Sequence, residues 1–545
     1  MYGKYGFYES IDYTPDRMSK GRKYEPIKTY MAHHQALILV SINNFFTKDI
    51  MQKRFMKNSE IAAVDVLLQE RTPEDIIITK QQKVKPSKIK YIDYESYSQR
   101  VFTKENPYLN NSNVISSNNY SIVMNENSGG YSRFKDIYIN RYKETSDEAQ
   151  GIFFFLKNIK TKRIWTANKM NYLSKPDKYE VKFAEDLDEI SRIDGNIQTK
   201  LKVTIDAVEP IEIRNINIKN LGLETERLEI TSFLEPILSS NIQDYMHPAF
   251  NNLFLSFEYL EDEDIVIVKR RKRKNTDKEI YMAIKFFADS ETIGELEYEI
   301  DKEKFFGRGN LNLPVMVENS RPFTNKINLV TDPIVALKRT IDVKPSDEVN
   351  LNYVLAVGYE KEDVINKINK YKNNESIENA FELSRAKVDA EARYLMLNSK
   401  KIETYQKMLS YLLYKNPLQS KLKEQTINKI YPISDLWKYG ISGDLPILLL
   451  KMESTTDEYL LDEVLKAFEY FKIKNIDIDL VIINDEPNNY ENYLKHTINN
   501  HILSNGLAYL QNVKGGIFVL NESDDLSSIE FRSGLVLKSN LRTNK

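Results

Sequence analysis

The chain has 545 residues, of which 41% are apolar and 29% charged, with 77 basic against 79 acidic side chains. That length exceeds what one core supports and predicts about three or four domains, while the near balance of charge leaves no global field to attract nucleic acid or an anionic membrane. The absence of cysteine excludes disulfides, thiolate catalysis and thiolate metal ligands.

No run of about 18 uncharged apolar residues occurs, and Met1-Tyr2-Gly3-Lys4 does not begin a secretory signal, so a soluble, cytoplasmic chain without membrane insertion is expected. Residues 2 to 14 are dense in aromatic residues and glycine and have no leader before them. From Pro26, suited to a first helical turn, the residues Ile27, Tyr30, Met31, His34, Leu37, Ile38, Ile42 and Phe45 keep a helical stripe. The spacing predicts a helix of about 20 residues. A second helix follows Asn58-Ser59, with Ile61, Val64, Leu67 and Leu68 on one face and Pro73 beyond its end. Two such helices bury little alone and read as the last hairpin of a larger helical domain, residues 1–75. The polar, lysine-rich stretch that follows reads as a linker, 76–106.

Between Asn118 and Arg141, Tyr120, Ile122 and Met124 alternate with polar or smaller residues, and Ile137 and Ile139 repeat that spacing. Gly129-Gly130 between them predicts a β-hairpin with a wide turn. Tyr131 and Arg133 on such a turn could meet a sugar ring, which has an apolar face and a rim of hydroxyls. Packing of these aromatics on their own sheet is the plainer alternative. Strand-like runs continue to about residue 300, predicting a large antiparallel sandwich. The basic run Lys269 to Lys274 reads as a solvated hairpin tip, since no aromatic residue is interleaved with it. Between Lys361 and Tyr414 the period becomes helical, and beyond Pro432 helix and strand patterns mix.

Two groups of motifs carry a family resemblance. Tyr5-Gly-Phe-Tyr-Glu-Ser-Ile-Asp-Tyr-Thr-Pro-Asp-Arg17, Tyr30-Met-Ala-His-His-Gln35 and Leu67-Leu-Gln-Glu-Arg71 resemble the end of the glycoamylase-like domain of cyclic β-1,2-glucan synthases. Gly129-Gly-Tyr-Ser-Arg133, Tyr179-Glu-Val181, Asp194-Gly-Asn-Ile-Gln-Thr199, Leu228-Glu-Ile-Thr-Ser232, His247-Pro-Ala-Phe250 and Phe306-Gly-Arg-Gly309 resemble the carbohydrate-binding super-sandwich of glycoside hydrolase family 94, the cellobiose-phosphorylase-like family. Leu436-Trp-Lys-Tyr-Gly-Ile-Ser-Gly-Asp-Leu-Pro446 and Asp479-Leu-Val-Ile-Ile-Asn484 extend it. The resemblance implies a multidomain α+β chain. A large antiparallel β super-sandwich, 107–356, is flanked by an N-terminal helical hairpin from an (α/α) barrel. Linker helices, 357–430, and a mixed α/β region, 431–545, follow. It further implies a fragment of a glycosyltransferase or phosphorylase, peripheral to the inner membrane if assembled with a full synthase. Inorganic phosphate, rather than a metal, is the cosubstrate implied.

Glycosidic-bond chemistry usually needs two carboxyls placed across the sugar. Glu9, in the aromatic Gly6-Phe-Tyr-Glu motif, is the first candidate for catalysis and Asp12 the second; a capping role in a tight loop is the alternative. His33-His34 does not suggest a metal, because adjacent helical residues point about 100° apart and no third ligand follows at helical spacing. By resemblance, Tyr8, His34 and Gln35 face a substrate cleft, with His34 packed on the apolar stripe as the alternative. Asp444, after a glycine and two residues before Pro446, suits a polar ligand contact or a helix N-cap. The expected ligand is a β-glucan or oligosaccharide. The expected protein partners are adjacent split-gene chains or a second copy of the chain.

Overall fold

The computed structural model describes residues 2–13, 24–58, 98–104, 110–142, 151–168, 173–274, 277–308, 313–414, 431–454, 458–485, 493–521 and 526–538. The chain divides into two compact units, residues 1–80 and 81–545. Among the described residues no helix is long and apolar enough to cross a membrane.

The first unit opens with two short antiparallel ribbons, Tyr2–Gly3 with Gly6–Phe7 and Ser10–Asp12 with Glu25–Ile27. Helices Ala32–Thr47 and Ile50–Phe55 follow, separated by Lys48 and Asp49 in the left-handed region. The helix expected from Pro26 therefore begins six residues later. Pro26 lies opposite Ile11 in the second ribbon, where a residue without an N–H is tolerated because a two-stranded ribbon consists only of edges. The second helix expected after Ser59 lies outside the described residues.

The second unit is built on three antiparallel sheets. The largest has nine strands in the order Leu255–Leu260, Ile265–Arg270, Ile280–Ala288, Glu348–Gly358, Ile211–Asn220, Ile197–Ile205, Asp188–Asp194, Lys178–Phe183 and Arg100–Phe102. The last of these falls inside the stretch read as a linker. A five-stranded sheet orders Ile164–Thr166, Phe153–Asn158, Glu226–Leu234, Pro333–Val343 and Glu297–Asp301. Another orders Pro236–Ser239, Ile137–Asn140, Gly130–Phe134, Tyr120–Asn125 and Ser112–Ser117. One continuous core joins the inner faces of all three, including Tyr120, Trp165, Leu201, Phe286, Leu337 and Tyr353. The alternation that makes these strands is clearest in Ile197–Ile205, where Ile197, Thr199, Leu201 and Val203 are buried and the residues between them half-buried. That is the period of a pleated strand with one face on a core.

The expected hairpin around Gly129-Gly130 is instead a three-stranded meander, since Gly130–Phe134 pairs with both Tyr120–Asn125 and Ile137–Asn140. Positive φ falls on Ser128, not on Gly130. Gly130 is required for a different reason: a Cβ there would lie 2.0 Å from the carbonyl oxygen of Val123.

Helices cover the outer faces. Lys361–Ile368 and Asn374–Tyr394 bury Val364, Ile368, Ile377 and Ala380 on Ile211, Ile213, Ile265 and Ile267 of the large sheet. A capping box starts the second of these, with the Asn373 side chain accepting from Ser376 N. Ser399–Leu413 lies on the meander sheet beside a four-stranded parallel sheet ordered Ile517–Asn521, Asp479–Asn484, Ile447–Met452 and Leu535–Lys538. Helices Glu458–Ile473 and Tyr493–Ser504 pack on one face of that sheet, and Leu436, Ile441 and Ile529 on the other. The C-terminal region is thus a parallel α/β module.

Candidate functional site

In the first unit the ribbon backbone fixes Glu9, whose N–H donates to the carbonyl of Thr29 at 3.1 Å. Helix Ala32–Thr47 supplies His34 and Gln35 from its first turn. Nδ1 of His34 meets Oε1 of Glu9, and Nε2 of Gln35 donates to the carbonyl of Phe7 at 3.3 Å. Tyr8 sets its ring 5.5 Å from that of Tyr30, and the Tyr30 hydroxyl accepts from Tyr5 N–H at 3.4 Å. The side chain of Glu9 is 10% exposed against 46% for His34. Oε2 of Glu9 is buried without a hydrogen-bond partner. Such an oxygen carries the desolvation cost of a polar group and gains most from a donor brought by a ligand.

Among the described residues Glu9 has His34 as its ion-pair partner. Asp12 sits on the neighbouring ribbon strand, with its backbone opposite Glu25. One carboxylate, an imidazole, an amide and tyrosine rings can orient sugar hydroxyls.

Four of the expected residues thus come together: Tyr8, Glu9, His34 and Gln35. Asp12 lies on the neighbouring ribbon strand, and the remaining three, Tyr131, Arg133 and Asp444, lie in the second unit and meet protein groups. Tyr131 packs with Tyr138 and Tyr142 at ring distances of 4.8 and 5.9 Å, and burial pushes its phenol well above the ordinary value. Arg133 donates to the carbonyl of Asn475 and lies 3.8 Å from Asp477. Asp444 accepts from Lys514 at 2.9 Å, in the loop leading into Ile447–Met452. At this amino end of the parallel sheet Asp479 opens its strand. Its Oδ1 accepts from Gly515 N–H at 2.8 Å, its Oδ2 is buried and unpartnered, and burial raises its pKa. Tyr30 heads one of the quoted motifs but was not named as a site residue, because it fell on the helical stripe. The signal that could have marked it is Tyr5-Gly-Phe-Tyr8, whose rings need a neighbour.

These sheets and their covering helices define a β super-sandwich protein. Residues 95–374, more than half of the chain, match the family described as "Glycosyl hydrolase 94, supersandwich domain", and the chain belongs to that carbohydrate-active family. It is 25% identical to the cyclic beta-(1,2)-glucan synthase NdvB of Rhizobium meliloti over 500 residues, which are 91% of this chain and 18% of that protein. It is 21% identical to the solabiose phosphorylase of Paenibacillus borealis over 198 residues, 36% of this chain and 24% of that one. A crystal structure of a bacterial glucoamylase complexed with acarbose aligns with 58% of this chain and 44% of its own, at 9% identity and a TM-score of 0.31. The chain therefore spans less than a quarter of the length of both curated relatives. The likeness to cyclic glucan synthases read from the motifs is borne out by the first of them.

Proposed function

We propose that this chain is the carbohydrate-binding portion of a cyclic β-1,2-glucan synthase-like or glycoside phosphorylase-like protein and holds a β-linked glucan at Glu9. The observation that carries the proposal is the buried, unpartnered Oε2 of Glu9, whose Oε1 meets His34, on a ribbon that Gln35 holds through the Phe7 carbonyl and that carries the Tyr8 ring. A glucose ring offers hydroxyl donors for that oxygen and an apolar face for tyrosine. The similarity to a β-1,2-glucan synthase over 91% of the chain supports the choice of glucan. Tyr131, Arg133 and Asp444 belong to the proposal as secondary sugar contacts, reached only if their present protein contacts open.

Titrating linear β-1,2-glucan into the purified chain, followed by calorimetry, tests the proposal. Saturable binding is expected, and Glu9→Gln should weaken it about tenfold, near 1.4 kcal/mol, because the amide presents an N–H where an acceptor is needed. Unchanged affinity in that variant would refute the site.

A second reading, a subunit of a split glycosyl-transferring enzyme, is favoured by one feature. In helix Ala32–Thr47 the apolar residues Leu39, Phe45 and Phe46 are 67%, 82% and 78% exposed, and such a face is covered in most stable proteins. This reading completes the site around Glu9 with groups from another chain and uses inorganic phosphate as cosubstrate. Glucose 1-phosphate formed from the glucan and phosphate by this chain alone would exclude both the binding portion and the incomplete subunit.

A further inference from the structure

Helices Asn241–Met246 and Pro248–Asn252 meet at His247, and Pro248 opens the second of them, where a residue without an N–H costs nothing. Ile242, Met246 and Phe250 of this pair stay exposed. With Phe254 and the end of strand Ile265–Arg270 they line a cavity of about 350 Å³, within the range of ligand pockets, roughly 300–1,000 Å³.

The basic run Lys269 to Lys274 carries no aromatic residue of its own, and the fold supplies them. The Arg270 guanidinium lies 5.3 Å from the centre of the Phe254 ring, and that of Arg273 lies 5.3 Å from Phe250. Arg270 is fixed through Nη1, which donates to the carbonyls of Ile237 at 3.3 Å and Asn251 at 3.4 Å. Neither arginine has an ion-pair partner among the described residues, and no carboxylate lines the cavity. Nearby acids are engaged elsewhere: Asp244 is held by Arg141 at 2.8 and 2.9 Å, and Asp277 accepts from Lys274 N–H at 2.9 Å. Burial, reinforced by the charge of Arg273, pulls the pKa of Arg270 down. Two cations against an apolar wall repel each other, and both gain from an anion brought between them. His247 and Gln243, in the same wall, add side chains that can donate.

We propose that this cavity binds a phosphomonoester whose organic part is apolar, with the phosphoryl group held by Arg270 and Arg273 and the organic part against Ile242, Met246 and Phe250. A phosphomonoester carries about two negative charges at neutral pH and so matches both guanidiniums, where a carboxylate neutralises one. The planar fork of arginine fits phosphate oxygens two at a time. The apolar wall selects the rest of the ligand: the hydroxyls of a sugar phosphate would lose water opposite Ile242 and Met246 and find no partner there. The assignment stands apart from the glucan reading, because Glu9 belongs to the other compact unit.

Calorimetric titration of phenyl phosphate into the full chain tests the proposal. Saturable binding at one site is expected, with inorganic phosphate and glucose 1-phosphate each weaker by about tenfold, since neither fills the apolar wall. Arg273→Met, at an exposed position, should weaken phenyl phosphate by about tenfold, the loss expected for one charge-assisted contact. Arg270→Met should do the same, and thermal melting checks that each variant folds; where Arg270→Met does not, Arg273→Met decides. Phe250→Ala should weaken phenyl phosphate and leave inorganic phosphate unchanged, which separates the wall from the cations. Absence of binding, unchanged affinity in Arg273→Met, or inorganic phosphate bound as tightly as phenyl phosphate would each overturn the proposal. Displacement of phenyl phosphate by linear β-1,2-glucan would make the cavity a sugar subsite and overturn it as well.

Discussion

Asp188 shows how the interior sets the chemistry of one residue. Its Oδ1 accepts from Asn113 Nδ2 at 2.7 Å, its Oδ2 is buried and unpartnered, and burial raises its pKa to about 7 against the partial compensation of Asn113 and Arg100. Arg100 does not touch it directly; it donates to Asn113 Oδ1 at 2.8 Å. A folded pKa above the unfolded one means that the protonated form is the one the fold prefers. The cost of ionisation is absent below about pH 4, grows towards pH 7 and is full above it. Asp188→Asn keeps an acceptor for Asn113 and removes that cost. The variant should gain stability of order 2 kcal/mol at pH 8 and nothing near pH 4, read from denaturant midpoints at the two values. An equal gain at both would mean that burial of the charge is not the cause. None of this was legible in the sequence, where Asp188 follows Glu185, Asp186 and Leu187 and looks like part of a solvated turn. Glu9 was legible, because aromatic residues crowd the sequence around it.

At the scale of elements, the meander sheet solves an edge problem with side chains from a helix. Ser112–Ser117 is its outer strand. Val114 N–H donates to Oε1 of Gln406 at 3.1 Å, Nε2 of Gln406 donates back to the Val114 carbonyl at 3.0 Å, and Ser112 N–H donates to Ser410 Oγ at 3.0 Å. Gln406 and Ser410, one helical turn apart on Ser399–Leu413, thus act as a further strand and keep buried peptide groups satisfied. Gln406→Leu fills a similar volume but leaves both Val114 groups buried and unpaired. It should cost about 2–4 kcal/mol in thermal or denaturant unfolding. A neutral Gln406→Leu would mean that water replaces the amide. The same burial explains what the pattern hid. Strands Pro333–Val343 and Glu348–Gly358 were not read individually, because Ile334 to Leu337 and Tyr353 to Val357 are covered on both faces. The period of two disappears where neither face meets water. Asp188–Asp194 does alternate, but its buried positions include Asp188, Arg192 and Asp194, so the polar residues face inward and the hydropathy signal is lost.

At the scale of the molecule, residues 81–545 share cores rather than stack separate domains. Val114 and Val123 of the meander sheet, Leu409 and Leu412 of helix Ser399–Leu413, Leu461, Leu465 and Phe468 of helix Glu458–Ile473, and Leu448 and Leu480 of the parallel sheet form one buried cluster. Polar contacts cross the same boundary: Tyr470 donates to Glu185, and Lys474 lies 3.2 Å from Glu391. Sandwich, linker helices and α/β module should therefore unfold together, since loosening one exposes apolar surface of the others. The two tryptophans report from different places, Trp165 at 1% exposure in the sandwich core and Trp437 at 63% in the C-terminal module. In a Trp437→Phe chain the fluorescence of Trp165 follows the sandwich alone, while the far-ultraviolet helix signal is weighted to the linker helices and the module. The two curves should share one denaturant midpoint. Phe468→Ala, far in sequence from Trp165 but at the shared cluster, should move both by the same amount, equivalent to about 3–5 kcal/mol. If the helix signal moves and the Trp165 transition stays in place, the parallel module is a separate folding unit and the shared cluster is only a contact between domains.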